Sequence, residues 1–329
     1  MRAYAIRRLL LIIPTLFLVS LIIFFMIRFM PSDIVDVIAQ EMGEQGLLGV
    51  VDRAAIEREL GLDVPIITQY GRWLGVVPGA DGSFSGIFQG DLGTSLWSKE
   101  TVVEMIAPRL PVTLELSILS LILTYLVAIP VGVYAAVRQD TWGDYLGRSF
   151  AIGWLAVPNF WLATMVIVFP SLWWNWSPPI YVIPFTEDPI GNLGMFILPA
   201  LIMGFSASGG MMRTTRTWML EVLRQDYIRT AWAKGLRERT VLIRHAFRNT
   251  LIPVVTRIGH QLPLLIGGVV IMENIFCLPG MGQLLLTAIT KRDYTVVNGL
   301  LLIGSIAIVF ANLAADLAYG SVDPRIRYK

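Results

Sequence analysis

The chain has 329 residues, 55% of them hydrophobic and 15% charged, with a formal net charge of +2. That balance, with a mean hydropathy of +0.65, lies far from the average of a soluble domain and marks a membrane protein, while the small net charge gives no reason to expect nucleic acid as a partner. The lone Cys277 excludes an internal disulfide, and two histidines argue against an all-histidine metal site within the chain.

A helix rises about 1.5 Å per residue, so crossing a hydrocarbon core about 30 Å thick takes roughly 20 mostly apolar residues. Six segments reach that length, at about 9–29, 110–137, 150–174, 195–212, 251–275 and 296–319. The first follows Arg7 and Arg8 with no small-residue cleavage site behind it, which predicts a retained signal anchor. Residues 31–107 then carry twelve acids and four cations, enough chain for a small extracytoplasmic lobe that docks or gates. Within it, DRAAIERELGLDVPIITQYGRWL reads as two short helices broken at 61–65, with Ile56, Leu60, Tyr70, Trp73 and Leu74 placed for packing. GADGSFSGIFQGDLGTS is turn-rich and predicted irregular.

The charges set the orientation. Cytoplasmic loops hold an excess of Lys and Arg. Arg2, Arg7 and Arg8 open the chain, nine Lys/Arg against three acids lie between the fourth and fifth spans, and Arg325, Arg327 and Lys329 close it. Both termini are therefore predicted cytoplasmic. The loop between the second and third spans balances Arg138 and Arg148 with Asp140 and Asp144, so only parity places it inside. In the fourth span, GFSASGG has the look of a hydrolase nucleophile elbow, but position 208 is serine where that motif needs glycine, and the setting is a span; the small residues suit close helix packing.

RTAWAKGLRERT, residues 229–240, holds four cations and one acid. Ile228, Ala231, Trp232, Gly235 and Leu236 follow the spacing of one helix face, with Arg229, Lys234 and Arg237 off it; Leu242, Ile243, Ala246 and Phe247 repeat the pattern opposite Arg244 and Arg248. Such an element either lies on anionic lipid or inserts into a groove of a partner protein. The small Ala231, Ala233 and Gly235 suit close backbone approach to a protein.

Polar groups at membrane depth are costly and face protein or water. In the fifth span Arg257, His260 and Gln261 share a face, and either that face lines a pathway or Arg257 pairs with Asp316 near the cytoplasmic surface. Asn159 and Trp161 beside Pro158, and Glu273 and Asn274 at the outer end of the fifth span, are further pathway candidates, whereas Glu115 reads as a tie between helices and Trp173, Trp174 and Trp176 as an interfacial belt.

RTAWAKGLRERTVLIRHAFRNTLIP resembles the cytoplasmic loop signature of binding-protein-dependent ABC importer permeases, in particular the first permease subunit of the dipeptide, oligopeptide and nickel transporters. The resemblance extends through LGLDVPIITQYGRWL, GDLGTS, RLPVTLEL, VPNFW, FCLPGMG, DYTVVNG and VDPRIRYK. Arg229 and Thr230 stand where the general signature has an acid and an alanine, and PSD follows Met30 where many relatives have a glycine after the proline.

The family resemblance implies an all-α, six-span permease fold with an extracytoplasmic lobe between the first two spans. It divides the chain into 1–30 (cytoplasmic end and first span), 31–107 (lobe), 108–320 (five-helix core with coupling helices at about 228–248) and 321–329 (cytoplasmic tail). It implies a bacterial inner-membrane importer subunit acting by alternating access, with a second permease, two ATPases that bind ATP and Mg, and an extracytoplasmic solute-binding protein. Ile228, Ala231, Trp232, Ala233, Lys234, Gly235, Leu236 and Arg237 become the ATPase-coupling residues. Peptide, nickel, glutathione and oligosaccharide cargoes all fit. The sequence contains no Gly-Lys dipeptide and so no phosphate-cradling loop of the Gly-x-x-x-x-Gly-Lys-Ser/Thr kind, and catalysis by the chain itself is not expected. Rival readings are a stand-alone channel or secondary transporter, and a membrane receptor for a loaded binding protein.

Overall fold

The computed structural model describes residues 2–28, 57, 62–79, 81–179 and 182–322. Apart from one isolated bridge, Thr94 to Thr101, every regular element among them is helical. The helices are α1 (Arg2–Arg28), α2 (Ile66–Leu74), α3 (Val102–Ile106), α4 (Leu110–Val137), α5 (Trp142–Ala156), α6 (Asn159–Trp174), α7 (Pro189–Leu223), α8 (Asp226–Ala233), α9 (Glu238–Thr240), α10 (Arg248–Ile275), α11 (Met281–Thr290) and α12 (Tyr294–Val322).

Among the described residues, four stretches are long and apolar enough to cross a membrane, Arg7–Met26, Val102–Val137, Pro189–Leu223 and Tyr294–Ala315, with α5 and α6 together making a fifth if that bent pair is one span. The third span, expected over about 150–174, is two helices meeting at 88° beside Pro158. Pro158 is the cause: it lacks an N–H to continue the helix and drives Val157 into extended backbone at φ −93°, ψ 123°. The fourth also differs from 195–212. At 35 residues α7 is about 50 Å long, well beyond a hydrocarbon core of about 30 Å. The helix α10 covers the expected fifth span and has 28 residues.

The described chain divides into two compact units, one of Met1–Leu11, Arg109–Leu284 and Ala307–Lys329, the other of Ile12–Pro108 and Leu285–Ile306. In the first, α4 buries Val112, Leu116, Ser120, Thr124, Ala128, Gly132 and Ala136, one residue in every four, so a single ridge of mostly small side chains faces α7. The backbones there nearly touch. A Cβ on Gly132 would sit 2.8 Å from the Met212 carbonyl oxygen, and Thr124 Oγ1 donates to the Gly204 carbonyl at 3.2 Å. The GFSASGG stretch thus serves helix packing, with Ser208 buried and its hydroxyl donating to Phe205 O. On the other side α5 turns Asp144, Gly147 and Ala151 inward to meet Arg216, Met212 and Gly209 of α7 in antiparallel register. Glu115 accepts from Asn192 Nδ2 at 3.3 Å, a tie between α4 and α7 as expected.

In the second unit, the aromatic stripe of α2 packs on α1: Tyr70 lies 5.3 Å from Phe24, ring centre to ring centre, and its hydroxyl is 2.8 Å from Ser20 Oγ. The companion helix expected before it lies outside the described residues. Among its described residues the turn-rich stretch is irregular except for one short 3-10 turn, Ile87–Gln89, and the bridge at Thr94. It is anchored from a distance. Ser95 Oγ donates to Asp293 Oδ2 at 2.5 Å, and Trp97 Nε1 donates to Lys291 O at 2.9 Å.

Candidate functional site

The basic segment folds as one short helix and a capped turn, not as a rod over 228–240. Asp226 opens α8 with an acid in its first turn, where the helix dipole favours it. Three residues of backbone then stop it. Gly235 N–H donates to Trp232 O and Leu236 N–H to Ala231 O, the paired bonds of a Schellman cap, with Gly235 in the left-handed region at φ +73°. So Gly235 is the residue that ends the helix, and the five-position stripe read from the sequence splits in two at this point.

Ile228 and Ala231 face inward, into a cluster with Ala136 of α4, Met219 of α7, Val241 and Ala246. Trp232 and Leu236 are 45% and 37% exposed, and Ala233, Lys234 and Arg237 are exposed beside them. The physical reason is that 100° of turn per residue carries Trp232 off the Ile228–Ala231 face, and the left-handed turn re-aims everything beyond it. The expected coupling set therefore serves two roles: Ile228 and Ala231 tie α8 to the ends of α4 and α7, and Trp232, Ala233, Lys234, Leu236 and Arg237 form an apolar and cationic outer face.

Past α9, Val241–Phe247 winds as a π-helix before α10 begins, a geometry often found at functional sites. Asn249 Nδ2 on α10 donates to Tyr227 Oη at 2.8 Å, fastening the start of α8. The exposed pair Arg229 and Asp226, 3.4 Å apart, contributes about 0–1 kcal/mol. Gly235→Ala is expected to cost about 1–2 kcal/mol through backbone strain alone, since nothing lies within 4 Å of the added Cβ. Faster tryptic cleavage at Arg237 and Arg239 in the solubilised chain checks it.

The pathway candidates whose side chains are described lie at the start of α6 and the end of α10. Asn159 is half-buried and Trp161 exposed at the start of α6, and Asn274 is exposed at the end of α10. Glu273 is wholly buried: its carboxylate accepts from Thr113 Oγ1 at 2.6 Å and from the backbone N–H of Gly282 and Gln283 at 2.7 and 3.0 Å. It presents no face to a passing solute here, because those three donors surround it and it caps the start of α11. Arg257 is exposed; the side chains of His260, Gln261 and Asp316 lie outside the described residues. Sequence reasoning missed a second buried carboxylate, Asp144, which accepts from Arg216 Nε and Nη2 at 2.8 and 2.7 Å. Among the described residues no group of three or more His, Cys, Asp or Glu is placed to hold a metal.

Residues 128–328 match the family model "Binding-protein-dependent transport system inner membrane component", and residues 1–117 match its N-terminal companion. The chain belongs to this family. Among relatives of this permease, a putative peptide transport system permease protein of Brucella abortus is 40% identical over 328 residues, covering all of both chains. The dipeptide transport system permease protein DppB of Escherichia coli K12 is 38% identical over 352 residues, again covering both completely. In fold the permease is similar to a chain of the inward-facing MetNI methionine ABC transporter, with a TM-score of 0.54 at 17% identity, covering 67% of this chain and 97% of that one.

Proposed function

We propose that this permease is half of the translocation pathway of an ATP-driven importer of di- and oligopeptides, with six spans, both termini in the cytoplasm, and residues 31–107 as an extracytoplasmic lobe. A second permease completes the pathway, an extracytoplasmic solute-binding protein delivers cargo, and two ATPases bind ATP and Mg on the cytoplasmic side. The relatives named for peptide transport cover the chain end to end, which supports the cargo class. The Lys/Arg distribution supports the orientation.

The observation that carries the reading is the divided coupling helix. Ile228 and Ala231 are locked to α4 and α7 while Trp232, Ala233, Lys234 and Leu236 stand free on the same turn. An ATPase groove closing on that outer face moves the two long helices with it, since packed interfaces switch between discrete arrangements. Asn159, Trp161, His260, Gln261 and Asn274 are the pathway positions this account retains, with Arg257 and Asp316 as a structural pair.

The test is reconstitution into vesicles with the second permease, the ATPases and the binding protein. Dipeptide accumulation that requires ATP and the binding protein is the expected result. Accumulation of nickel, glutathione or an oligosaccharide in its place would overturn the cargo, and solute conduction by this chain alone would overturn the coupling.

A further inference from the structure

The contact between α5 and α7 has three levels, and only the last of them is ionic. Gly209 lies against Ala151, where an added Cβ would come 2.6 Å from the Ala151 carbonyl oxygen. Gly147 lies against Met212. Both are close apolar contacts, the first flanked by Phe205 of α7, whose ring centre lies 5.9 and 5.0 Å from those of Phe150 and Trp154 on α5. The third is the fork of Arg216 on Asp144, two charge-assisted bonds at 2.8 and 2.7 Å that fix distance and orientation together.

The fork is held from every side. Asp144 is wholly buried and Arg216 is 16% exposed. Asp144 also accepts from the backbone N–H of Asp140 at 3.1 Å and lies 3.4 Å from Arg148 Nε. It occupies the first turn of α5, where the helix dipole favours a carboxylate. A buried ion pair is weak evidence for stability but strong evidence for a fixed arrangement when both partners are this constrained. Its position matters. Arg216 sits three residues before Met219, which packs in the cluster that holds Ile228 and Ala231 of α8. One turn of α7 therefore grips the coupling helix with one side chain and α5 with another.

We propose that the Asp144–Arg216 fork is the strut that carries movement of the 226–233 helix into α5, making both residues positioning residues for coupling that touch neither solute nor nucleotide. The inference rests on the coupling reading above. Without the fork, the two apolar levels are left to join α7 to α5, and α5 follows α8 less fully.

The experiment uses the complete transporter in vesicles. In Asp144→Asn and Arg216→Gln the number of ATP molecules hydrolysed per solute imported is expected to rise at least about tenfold, within the range of coupling effects between sites, while Arg216→Lys, which keeps the charge and loses the fork, falls between. An unchanged ratio in both charge-removing variants, or hydrolysis and uptake falling by one factor as a simple loss of folded complexes, overturns the proposal. A measurement on the native pair guards against variants that do not assemble. With Cys277→Ser, spin labels at the exposed positions 149 and 224 are expected to keep their separation between nucleotide-free and nucleotide-trapped states. A change greater than one turn of helix, about 5 Å, overturns it. If the native complex imports nothing on ATP hydrolysis, the coupling reading itself has failed; normal native import with an unaltered ratio in the variants sinks only the strut.

Discussion

Replacing Glu273 with alanine is expected to destabilise the permease by about 3–5 kcal/mol, the largest effect of any single truncation considered. Three donors converge on that carboxylate, from Thr113 Oγ1, Gly282 N–H and Gln283 N–H. Each buried donor left without an acceptor costs about 1–3 kcal/mol, and Thr113 in turn accepts from Met281 N–H at 2.8 Å, so its loss spreads into the start of α11. Glu273→Gln keeps one acceptor oxygen and is expected to lose about half as much. Gly280→Ala attacks the same node from outside, because its Cβ would come within 2.1 Å of the Glu273 carboxyl carbon. The thermal midpoint of the solubilised chain reads all three variants: Glu273→Ala is expected lowest, Glu273→Gln higher, Gly280→Ala also below the unaltered chain, and the unaltered chain highest. Equal midpoints would mean that the buried carboxylate does not hold the 276–280 loop and the start of α11.

The second large effect is on activity with the fold intact. Trp232→Ala removes a large, 45% exposed aromatic side chain from the outer face of α8. It is expected to weaken docking of the ATPase by about 2–4 kcal/mol, the range for an aromatic anchor at the centre of an interface, or roughly 30- to 1,000-fold. The stability of the free chain should move by no more than about 0.5 kcal/mol, as for other exposed substitutions. Ile228→Ala provides the contrast. Ile228 is 1% exposed within the cluster of Ala136, Met219 and Val241, so its truncation is expected to cost about 2–5 kcal/mol of stability. Co-purification of the ATPases with each variant, together with thermal midpoints, separates the two. Loss of docking in Trp232→Ala at an unchanged midpoint is the expected pattern; full retention of the ATPase would remove Trp232 from the interface.

Much of the helical framework was legible because apolar runs of spanning length are a signal that survives without any partner residue. The packing role of GFSASGG and the Glu115 tie both follow from residue type and depth. What could not be read depends on residues far apart in the chain. Asp144 had Arg148 one turn away and a balanced local charge count, and nothing nearby pointed to Arg216, 72 residues on. Glu273 was placed on the pathway because an acid at membrane depth usually serves one; its donors include Thr113, 160 residues earlier. The anchoring of Ser95 by Asp293 spans 198 residues.

The coupling segment failed differently. Five residues fit a helical period across 228–236, but periodicity does not say where a helix stops. Gly235 was taken as a small residue on the face when its function is to adopt φ +73° and end α8. The break at Pro158 was visible as a proline, while the 88° turn it introduces was not. Both cases show backbone chemistry overriding a side-chain pattern.

The central claim is that nucleotide-driven motion enters this chain through the outer face of α8. The most direct measurement places a photo-reactive phenylalanine analogue at position 232 of the assembled transporter and identifies what it captures. The account requires a covalent adduct with the ATPase subunit; adducts with phospholipid alone would contradict it.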